Sequence, residues 1–126
     1  MQGTEARAEA LADQLIAGLL AADPAAIASC FAADGSLQAL TPRGLMERDD
    51  ATGAGELMAG WFSDCAETRL IASGTSTMVD RHHIHYRIAA VKEARGTVEI
   101  EQQLYVDIED GRFRAVTLVC SGFRSI

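Results

Sequence analysis

The sequence predicts a single α+β domain, in which three helices precede a meander of antiparallel strands. Apolar residues recur at spacings of three and four up to Ala66 and alternate with polar residues beyond it, and the connections between the alternating segments are short. The 126 residues suit one domain over residues 1–126, and 48% hydrophobic content is typical of a globular chain. This order of elements indicates helices that cover one face of a curved sheet.

The first two helices follow from spacing and capping. Residues 4–22 carry one apolar stripe at intervals of three and four, formed by Ala8, Leu11, Leu15, Leu19 and Ala22. Asp23 and Pro24 end this stripe. They suit the start of a second helix over residues 24–32, because aspartate caps helices and proline fits a first turn.

The third helix follows an irregular region. A turn leads into a short extended segment over residues 36–40, and the Pro-, Gly- and Asp-rich stretch 41–53 is typical of a loop. A third helix over residues 54–65 carries Trp61 and Phe62 on its apolar side. An aromatic pair at this position belongs more often to a hydrophobic core than to a ligand wall, and both interpretations stay open.

Four segments of alternating apolar and polar residues complete the chain, over residues 68–79, 82–93, 97–109 and 112–124. Their short connections predict hairpins and hence an antiparallel meander. Gln102 breaks the alternation, because its amide occupies an inward position between Ile100 and Leu104. A buried amide without partners costs about 1–3 kcal/mol, so Gln102 either bonds a neighbouring group or lines a ligand cavity.

Composition argues against several partners. The formal net charge is −7 and Lys92 is the single lysine, so we expect no binding to nucleic acid or to anionic membranes. No apolar run approaches the roughly 20 residues of a membrane span, and the N-terminus lacks a signal-peptide pattern, so we expect a cytoplasmic protein. Cys30, Cys65 and Cys120 are odd in number and far apart, which favours reduced thiols.

The segment VDRHHIHYRI places three histidines at the start of the second strand. Alternation puts His83 and His85 on the outward side, where two imidazoles fall short of the three or four ligands of a usual metal site. The sequence therefore predicts no bound metal and no cofactor. His82 has inward parity at the strand end, and it is a candidate general base because histidine titrates near neutral pH; a structural role is the alternative.

Four further residues are candidates for a ligand pocket. Tyr86 has inward parity, and a turn centred near Arg95 brings it within diagonal reach of Gln102 on the next strand. Trp61 is expected to close one side of the pocket, and Cys120 lies on the last strand. A phenol and an amide in such a pocket can hold a carbonyl or hydroxyl group of an otherwise apolar ligand.

Three motifs follow one another along most of the chain: AADPAAIASCFAADGSL at 21–37, GAGELMAGWF at 53–62 and VDIEDGRFRAVTLVCSGFR at 106–124. Together they resemble the nuclear transport factor 2-like superfamily, which includes the SnoaL-like proteins and the ketosteroid isomerases. The resemblance implies a cone-shaped fold, in which three N-terminal helices pack on a strongly curved antiparallel sheet around a deep apolar pocket. Many such proteins pair through the outer sheet face. The outward residues Arg87 and Tyr105 here predict a homodimer of that kind.

The catalytic residues of ketosteroid isomerases are not matched. The resemblance places the tyrosine of those enzymes at Leu15, their carboxylate base at Ala39, and their protonated aspartate at Gln103 or Leu104. Double-bond migration needs a base to move the proton and donors to hold the enolate. We therefore predict that this chain is not a ketosteroid isomerase.

Two function classes remain. The first is a small-molecule pocket protein, which either acts as a cofactor-independent lyase, isomerase or cyclase on a hydrophobic metabolite or binds a small apolar or aromatic metabolite. The second is a non-catalytic ligand-binding or dimeric protein-interaction module. A cavity with converging polar groups favours the first class, and a filled core with an exposed apolar patch favours the second. The sequence leaves open whether the protein is an enzyme and which substrate it takes.

Overall fold

The structure, a computed structural model, describes the backbone of residues 2–126 and the side chains of residues 5–126. The order of helices before the main strands holds except at one place, where the hairpin β1–β2 precedes the third helix. The elements are α1 (Gln2–Leu20), α2 (Pro24–Ala28), β1 (Phe31–Thr41), β2 (Gly44–Arg48), α3 (Ala51–Phe62), β3 (Cys65–Met78), β4 (Arg81–Lys92), β5 (Gly96–Glu109), β6 (Arg112–Cys120) and β7 (Arg124–Ser125).

Two aspartates define where the second and third helices begin. The Asp23 carboxylate accepts hydrogen bonds from the backbone N–H groups of Ala25 and Ala26, and so caps α2. Asp50 caps α3 in the same way, with its carboxylate 2.7 Å from the backbone nitrogen of Gly53. The cap at Asp23 confirms the sequence prediction, whereas α3 begins three residues before the predicted position.

Helices α2 and α3 pack at close range. A side-chain carbon added at Gly55 of α3 would lie 2.4 Å from the carbonyl oxygen of Pro24, a distance that atoms do not tolerate. Glycine is therefore required at this position, and its absence of a side chain lets α3 lie against α2 beneath the sheet.

The sheet has the strand order β2-β1-β6-β5-β4-β3, and β7 pairs with the end of β5. Strands β3 to β6 form the predicted antiparallel meander. The pairing of β1 with β6 is parallel, with Leu37 opposite Val116, so the prediction of a wholly antiparallel sheet is wrong at this one pair. The reason is topological: β6 ends the meander running in the same direction as β1, and a parallel pair joins the hairpin to the meander.

The region before α3 differs from the sequence prediction. Residues 41–53 contain β2, which pairs with β1 to form an edge hairpin with Leu40 opposite Leu45. Strand β1 starts at Phe31, inside the segment assigned to the second helix, and its register shifts between Phe31 and Ser36. Edge strands bury few side chains, so β2 lacks the alternation by which a strand is recognised in a sequence.

The core lies between the helices and the concave face of the sheet. One cluster of buried apolar residues draws on α1, α2, α3, β1, β4, β5 and β6. Leu15, Leu19 and Ile27 of the helices are fully buried in it, as are Ile84 and Leu104 of the strands. Strand β3 contributes one partly buried side chain, Cys65, so the inner side of this edge strand is largely left out of the core.

Candidate functional site

A row of three hydrogen-bonded side chains crosses the concave face of the sheet. Tyr86 of β4 lies directly opposite Gln102 of β5, which lies opposite Cys120 of β6. The Tyr86 hydroxyl donates to Oε1 of Gln102, and Nε2 of Gln102 donates to Sγ of Cys120 at 3.3 Å. The backbone N–H of Gly122 also donates to this sulfur, at 3.3 Å. We call these three side chains the buried polar row.

The buried polar row largely satisfies its own hydrogen bonds. Tyr86 is 1% exposed and Gln102 is fully buried, while Cys120 is half-buried at the end of the row. Burial raises the pKa of the Tyr86 phenol well above its usual value, and nearby Cys120 adds to this. The phenol is therefore a neutral donor at physiological pH. Gln102 bonds neighbouring side chains, one of the two alternatives that the sequence leaves open.

The register of the row differs from the predicted register by two residues. The sequence places residue 88 opposite Gln102, but Ile88 lies opposite Ile100. The turn is centred on Ala94 and not near Arg95, since Lys92 pairs with Gly96. Tyr86 and Gln102 consequently meet directly across the strands instead of diagonally.

Trp61, the fourth candidate pocket residue, is half-buried on α3 and packs against the edge of the core. Its neighbour Phe62 is buried and forms an edge-to-face pair with Phe123, with ring centroids 5.8 Å apart. The ammonium group of Lys92 lies 4.0 Å above the Phe123 ring and 2.8 Å from the carboxylate of Asp64. Of Trp61 and Phe62, Phe62 therefore belongs to the core and Trp61 packs at its edge. A ligand role for Trp61 stays a prediction.

A groove opens between α1 and the inner side of β3. Where β4 carries Tyr86, Ile84 and His82, the facing positions of β3 are Ser73, Thr75 and Thr77. These small hydroxyl side chains leave space beside the helix. A cavity of about 310 Å³ is lined by α1, from Glu9 to Ile16, and by residues 73–75 of β3.

A second cavity, of about 130 Å³, continues along the helix and is lined by Glu5, Glu9, Thr75, Thr77 and His82 among others. Both cavities share Glu9 and Thr75, so they form one continuous opening that we call the α1–β3 groove. Neither cavity is lined by the buried polar row or by Trp61.

His82 lies at one end of the α1–β3 groove and is only 6% exposed. Its Nδ1 lies 3.2 Å from Oγ1 of Thr77. No group in residues 5–126 forms a hydrogen bond with Nε2. Every buried side-chain nitrogen and oxygen in this part of the chain has a partner, so Nε2 is not one of the buried atoms. Nε2 therefore reaches solvent, and the groove is the opening that His82 lines. A histidine with one ring nitrogen hydrogen-bonded and the other accessible to solvent is suited to proton exchange.

Sequence reasoning missed the residues of the α1–β3 groove apart from His82. Two signals were present: hydroxyl side chains alternate at Ser73, Thr75 and Thr77, and acidic residues recur at intervals of four at Glu5, Glu9 and Asp13. Each signal alone resembles an ordinary solvated surface. Only the contact between α1 and β3 brings them onto the walls of one groove.

The other two histidines lie on the outer face of the sheet, as alternation predicts. The His83 Nε2 atom is 2.6 Å from Oε1 of Gln103, and the His83 and His85 rings stack with centroids 5.7 Å apart. Tyr105 lies beside His83 at 5.0 Å between centroids. Within the described residues, no group of three or more His, Cys, Asp or Glu side chains is arranged to hold a metal ion.

The positions that the resemblance assigns to ketosteroid isomerase catalysis are unsuited to it. Leu15, Ala39 and Leu104 are fully buried apolar residues, and Gln103 faces outward onto His83. None of these side chains supplies a titrating group to the interior.

Comparison with known proteins establishes the fold. No protein-family model matches the sequence, and no curated protein matches it at a significant level. Solved structures do match: a protein of ketosteroid isomerase-like fold from Catenulispora acidiphila, in complex with trimethylamine, is 12% identical with a TM-score of 0.73, over 88% of this chain and 85% of that one.

Two further structures are similar. A proposed polyketide cyclase from Xanthomonas campestris pv. campestris has a TM-score of 0.69 at 16% identity, over 90% of this chain and 89% of that one. A proposed isomerase from Bacillus subtilis has a TM-score of 0.73 at 9% identity, over 91% of this chain and 88% of that one. The chain thus has the α+β cone fold of the nuclear transport factor 2-like proteins, as the sequence motifs indicate. Among residues 2–126, no helix combines the length and the hydropathy needed to cross a bilayer.

Proposed function

We propose that this protein binds a small molecule in the α1–β3 groove, with His82 as the group that exchanges a proton with the ligand. The observation that carries this proposal is the histidine itself: it is 6% exposed, it lines the groove, and Thr77 bonds one of its ring nitrogens while no group of residues 5–126 bonds the other. A groove of about 310 Å³ at its larger part is within the size range of small-molecule sites.

The chemistry within reach is general acid–base catalysis without a cofactor. A ligand bound in the groove with an acidic C–H or a hydroxyl leaving group near Nε2 would lose or gain a proton there. The Thr77 hydroxyl holds Nδ1, which fixes the ring orientation, and so the direction in which Nε2 points. A lyase or isomerase reaction is therefore the catalytic form of the proposal, and simple binding is the non-catalytic form.

The structural neighbours support a small-molecule function. One of them is in complex with trimethylamine, and two others are described as a proposed cyclase and a proposed isomerase. The polar walls of the groove favour a polar ligand over the apolar metabolite that the sequence suggests. A ligand bound at Trp61, Tyr86, Gln102 and Cys120 remains the alternative site within this proposal.

The test is a thermal-shift screen of a metabolite library against four proteins: the wild type, His82→Gln, His83→Gln and Gln102→Leu. The His83 variant is the matched control, because it makes the same change one residue away on the outer face. We expect at least one compound to raise the melting temperature of the wild type and of His83→Gln, and to do so less for His82→Gln. A compound whose effect is unchanged in His82→Gln but lost in Gln102→Leu would place the ligand at the buried polar row instead.

A second candidate function, a homodimeric interaction module, is favoured by the outer face of the sheet. One cross-strand row there runs through Leu45, Leu40, Val119, Gln103 and His85. Leu45 is 58% exposed, Leu40 51% and Val119 46%, so three adjacent strands present apolar side chains to solvent. Such a face can pair with a second copy about a two-fold axis.

Light scattering tests the dimer. We expect a dimeric mass at micromolar concentration and a monomeric mass for Val119→Glu, whose charge would be buried at the interface. Val79→Glu is the matched control, because Val79 is 96% exposed at the β3–β4 turn, outside the row from Leu45 to His85. A monomeric wild type would remove this candidate function.

A further inference from the structure

We infer that the free edge of β3 pairs with the same edge of a second copy of this chain, in antiparallel orientation and with the two-fold axis at Gly74. This pairing continues the sheet of one copy into the sheet of the other. It uses the edge of the sheet and not its outer face, so it is distinct from the homodimer considered above. It also holds whether or not the groove binds a ligand.

Strand β3 has one edge without a partner strand. It stands at the end of the strand order, and among residues 2–126 it pairs with β4 alone. None of the backbone hydrogen bonds outside the helices and strands of these residues involves residues 65–78. The backbone N–H and C=O groups on the free edge of β3 therefore face solvent, where a further strand can pair with them.

The two edges of the sheet differ in how they discourage such pairing. Strand β2, at the opposite edge, has five residues, and Glu47 and Arg48 are two of them. Strand β3 has 14 residues, its two register shifts lie before Ala72, and residues 72–78 pair with β4 without interruption. This stretch, ASGTSTM, which we call the β3 edge segment, contains no proline and no charged residue. It lacks the usual protections of an edge strand, whereas β2 has them.

Gly74 does not disrupt the β3 edge segment. A glycine weakens a strand because it has no side chain to pack. His85 lies opposite Gly74 on β4, and a side-chain carbon added at Gly74 would lie 2.6 Å from Nε2 of His85. The imidazole ring thus covers the glycine, which compensates for the missing side chain.

The charges on either side of the β3 edge segment suit an antiparallel copy. Arg69 precedes the segment and Asp80 follows it, and neither forms an ion pair within residues 5–126. Antiparallel pairing reverses the order of the second copy. Each Arg69 then comes near Asp80 of the second copy, and the two-fold axis repeats this contact.

The same charges select the position of the axis. A two-fold axis at Gly74 places Glu67 opposite Arg81 of the second copy, because each lies seven residues from the axis. An axis at Thr75 would instead place Arg69 opposite Arg81, each six residues away. Opposite charges across a strand pair are favourable and like charges are unfavourable, so the charges favour Gly74.

The second copy also adds groups beside the α1–β3 groove. With the axis at Gly74, Ser73 lies opposite Thr75 of the second copy on the inner side of the sheet. Both residues line the groove. Hydroxyl side chains directly opposite each other can form hydrogen bonds across a strand pair. The site proposed above is therefore extended by hydroxyl groups of the second copy.

The contact is weak because one strand from each copy buries less surface than a standard interface. We expect a dissociation constant of about 0.1–1 mM. The formal net charge of −7 adds repulsion between copies. Measurements therefore need about 0.15 M salt, at which charges more than about 8 Å apart are largely screened.

The experiment is light scattering of the full chain carrying Val119→Glu, a background that removes the outer-face pairing, from about 10 μM to about 1 mM. Within this background, the like-charge variant carries Ala72→Lys and Ser76→Lys, and the opposite-charge variant carries Ala72→Lys and Ser76→Glu. Both positions are exposed and lie two residues from Gly74, so they face each other across the axis.

We expect the mass of the background protein and of the opposite-charge variant to approach that of a dimer at the highest concentration. The dissociation constant of the like-charge variant should be about tenfold higher or more, because two like-charged pairs lie directly opposite each other. The like-charge variant is the less acidic of the two. Its net charge alone would strengthen association, so a loss reports the local pairing.

Backbone hydrogen exchange in the background protein is a second measurement, which needs no substitution in the β3 edge segment. We expect amide exchange within residues 72–78 to be slower at about 1 mM than at about 10 μM, as new hydrogen bonds form at the edge. Residues 44–48 of β2 are the internal control, and we expect no change there.

Three outcomes overturn the inference. A monomeric background protein at 1 mM with no protection of residues 72–78 shows a solvated edge. Protection independent of concentration, with a monomeric mass, shows that a segment of the same chain covers the edge. Equal association of the two charge variants shows that residues 72 and 76 are not opposite each other. The groove function is tested by the dependence of ligands on His82, and the outer-face dimer by its mass at micromolar concentration, so neither falls with this inference.

Discussion

The buried polar row and the α1–β3 groove share the concave side of one sheet, but they differ in whether their polar atoms have hydrogen-bond partners within the protein. In the row, the Tyr86 hydroxyl and the Gln102 amide bond each other and Cys120 inside the core. In the groove, Thr77 holds one nitrogen of His82 and the other is open. The row therefore satisfies its polar groups within the sheet, whereas one ring nitrogen at the groove has no partner within residues 5–126.

The difference arises from the partner strands. Gln102 lies between two strands, so both its neighbours supply partners, whereas the groove is bounded by the edge strand β3. A polar group in the middle of a sheet must be satisfied internally because water does not reach it. A polar group next to an edge can exchange water for a ligand.

The largest expected effect is that of Gln102→Leu on stability. The change leaves the Tyr86 hydroxyl buried without its acceptor, and we expect the free energy of unfolding to fall by about 2–3 kcal/mol. Urea denaturation monitored by circular dichroism measures this. The double variant Tyr86→Phe/Gln102→Leu removes both partners and should recover part of the loss. Unchanged stability with weakened ligand binding would instead make the row a ligand site.

The next effect concerns alkaline pH. Because burial raises the pKa of Tyr86 in the folded state, the unfolded state releases the phenolic proton first as pH rises above its usual pKa of about 10. The unfolded state then binds fewer protons, so stability falls with rising pH, by at most about 1.4 kcal/mol per pH unit for this one group. We expect Tyr86→Phe to show a shallower fall between pH 10 and higher values in urea denaturation. An equal slope would show that the phenol is not desolvated.

A smaller effect is expected for the hydroxyl that holds His82. Thr77→Val removes the bond to Nδ1, and we expect a loss of about 0.5–1.5 kcal/mol in the free energy of unfolding. Thr75→Val is the matched control, because Thr75 lines the same groove and has no such bond to the histidine. Equal losses in the two variants would mean that the Thr77–His82 contact does not position the ring.

The smallest effect is expected for Glu9→Gln. Glu9 is exposed, lines both parts of the groove and forms no ion pair within the described residues. We expect the free energy of unfolding to change by less than about 0.5 kcal/mol, as at other surface sites. Thermal denaturation measures it, and a clear destabilisation would show that the carboxylate contributes to the fold and not only to the groove.

Much of the fold was predictable because alternation is a direct consequence of a half-buried strand. The four meander strands match their predicted segments closely, although the last one stops at Cys120 and a separate short strand follows. The edge hairpin was not predictable in the same way, since none of the five residues of β2 is fully buried. Its Pro- and Gly-rich surroundings resemble a loop.

The candidate site was predictable only in part. The inward positions of Tyr86 and Gln102 followed from their neighbours Ile84, Ile88 and Ile100, because parity alone decides them. The groove could not be predicted in this way, since it depends on which strand lies beside α1. That strand, β3, lies about sixty residues after α1 in the sequence. His82 could be named from its residue type, but its open nitrogen is a property of packing.

The parallel contact between β1 and β6 has a consequence for how the chain folds. Leu37 meets Val116 across that contact, so the centre of the sheet joins an early segment to one of the last. Contacts this distant in sequence form slowly, because closing the long intervening loop is entropically unfavourable. During synthesis β1 is made before β6, so the edge of β1 that pairs with β6 in the folded protein stays unpaired until β6 has been made. An unpaired strand edge is a template for pairing with another molecule, so the β1 edge is exposed to aggregation for as long as β6 is absent.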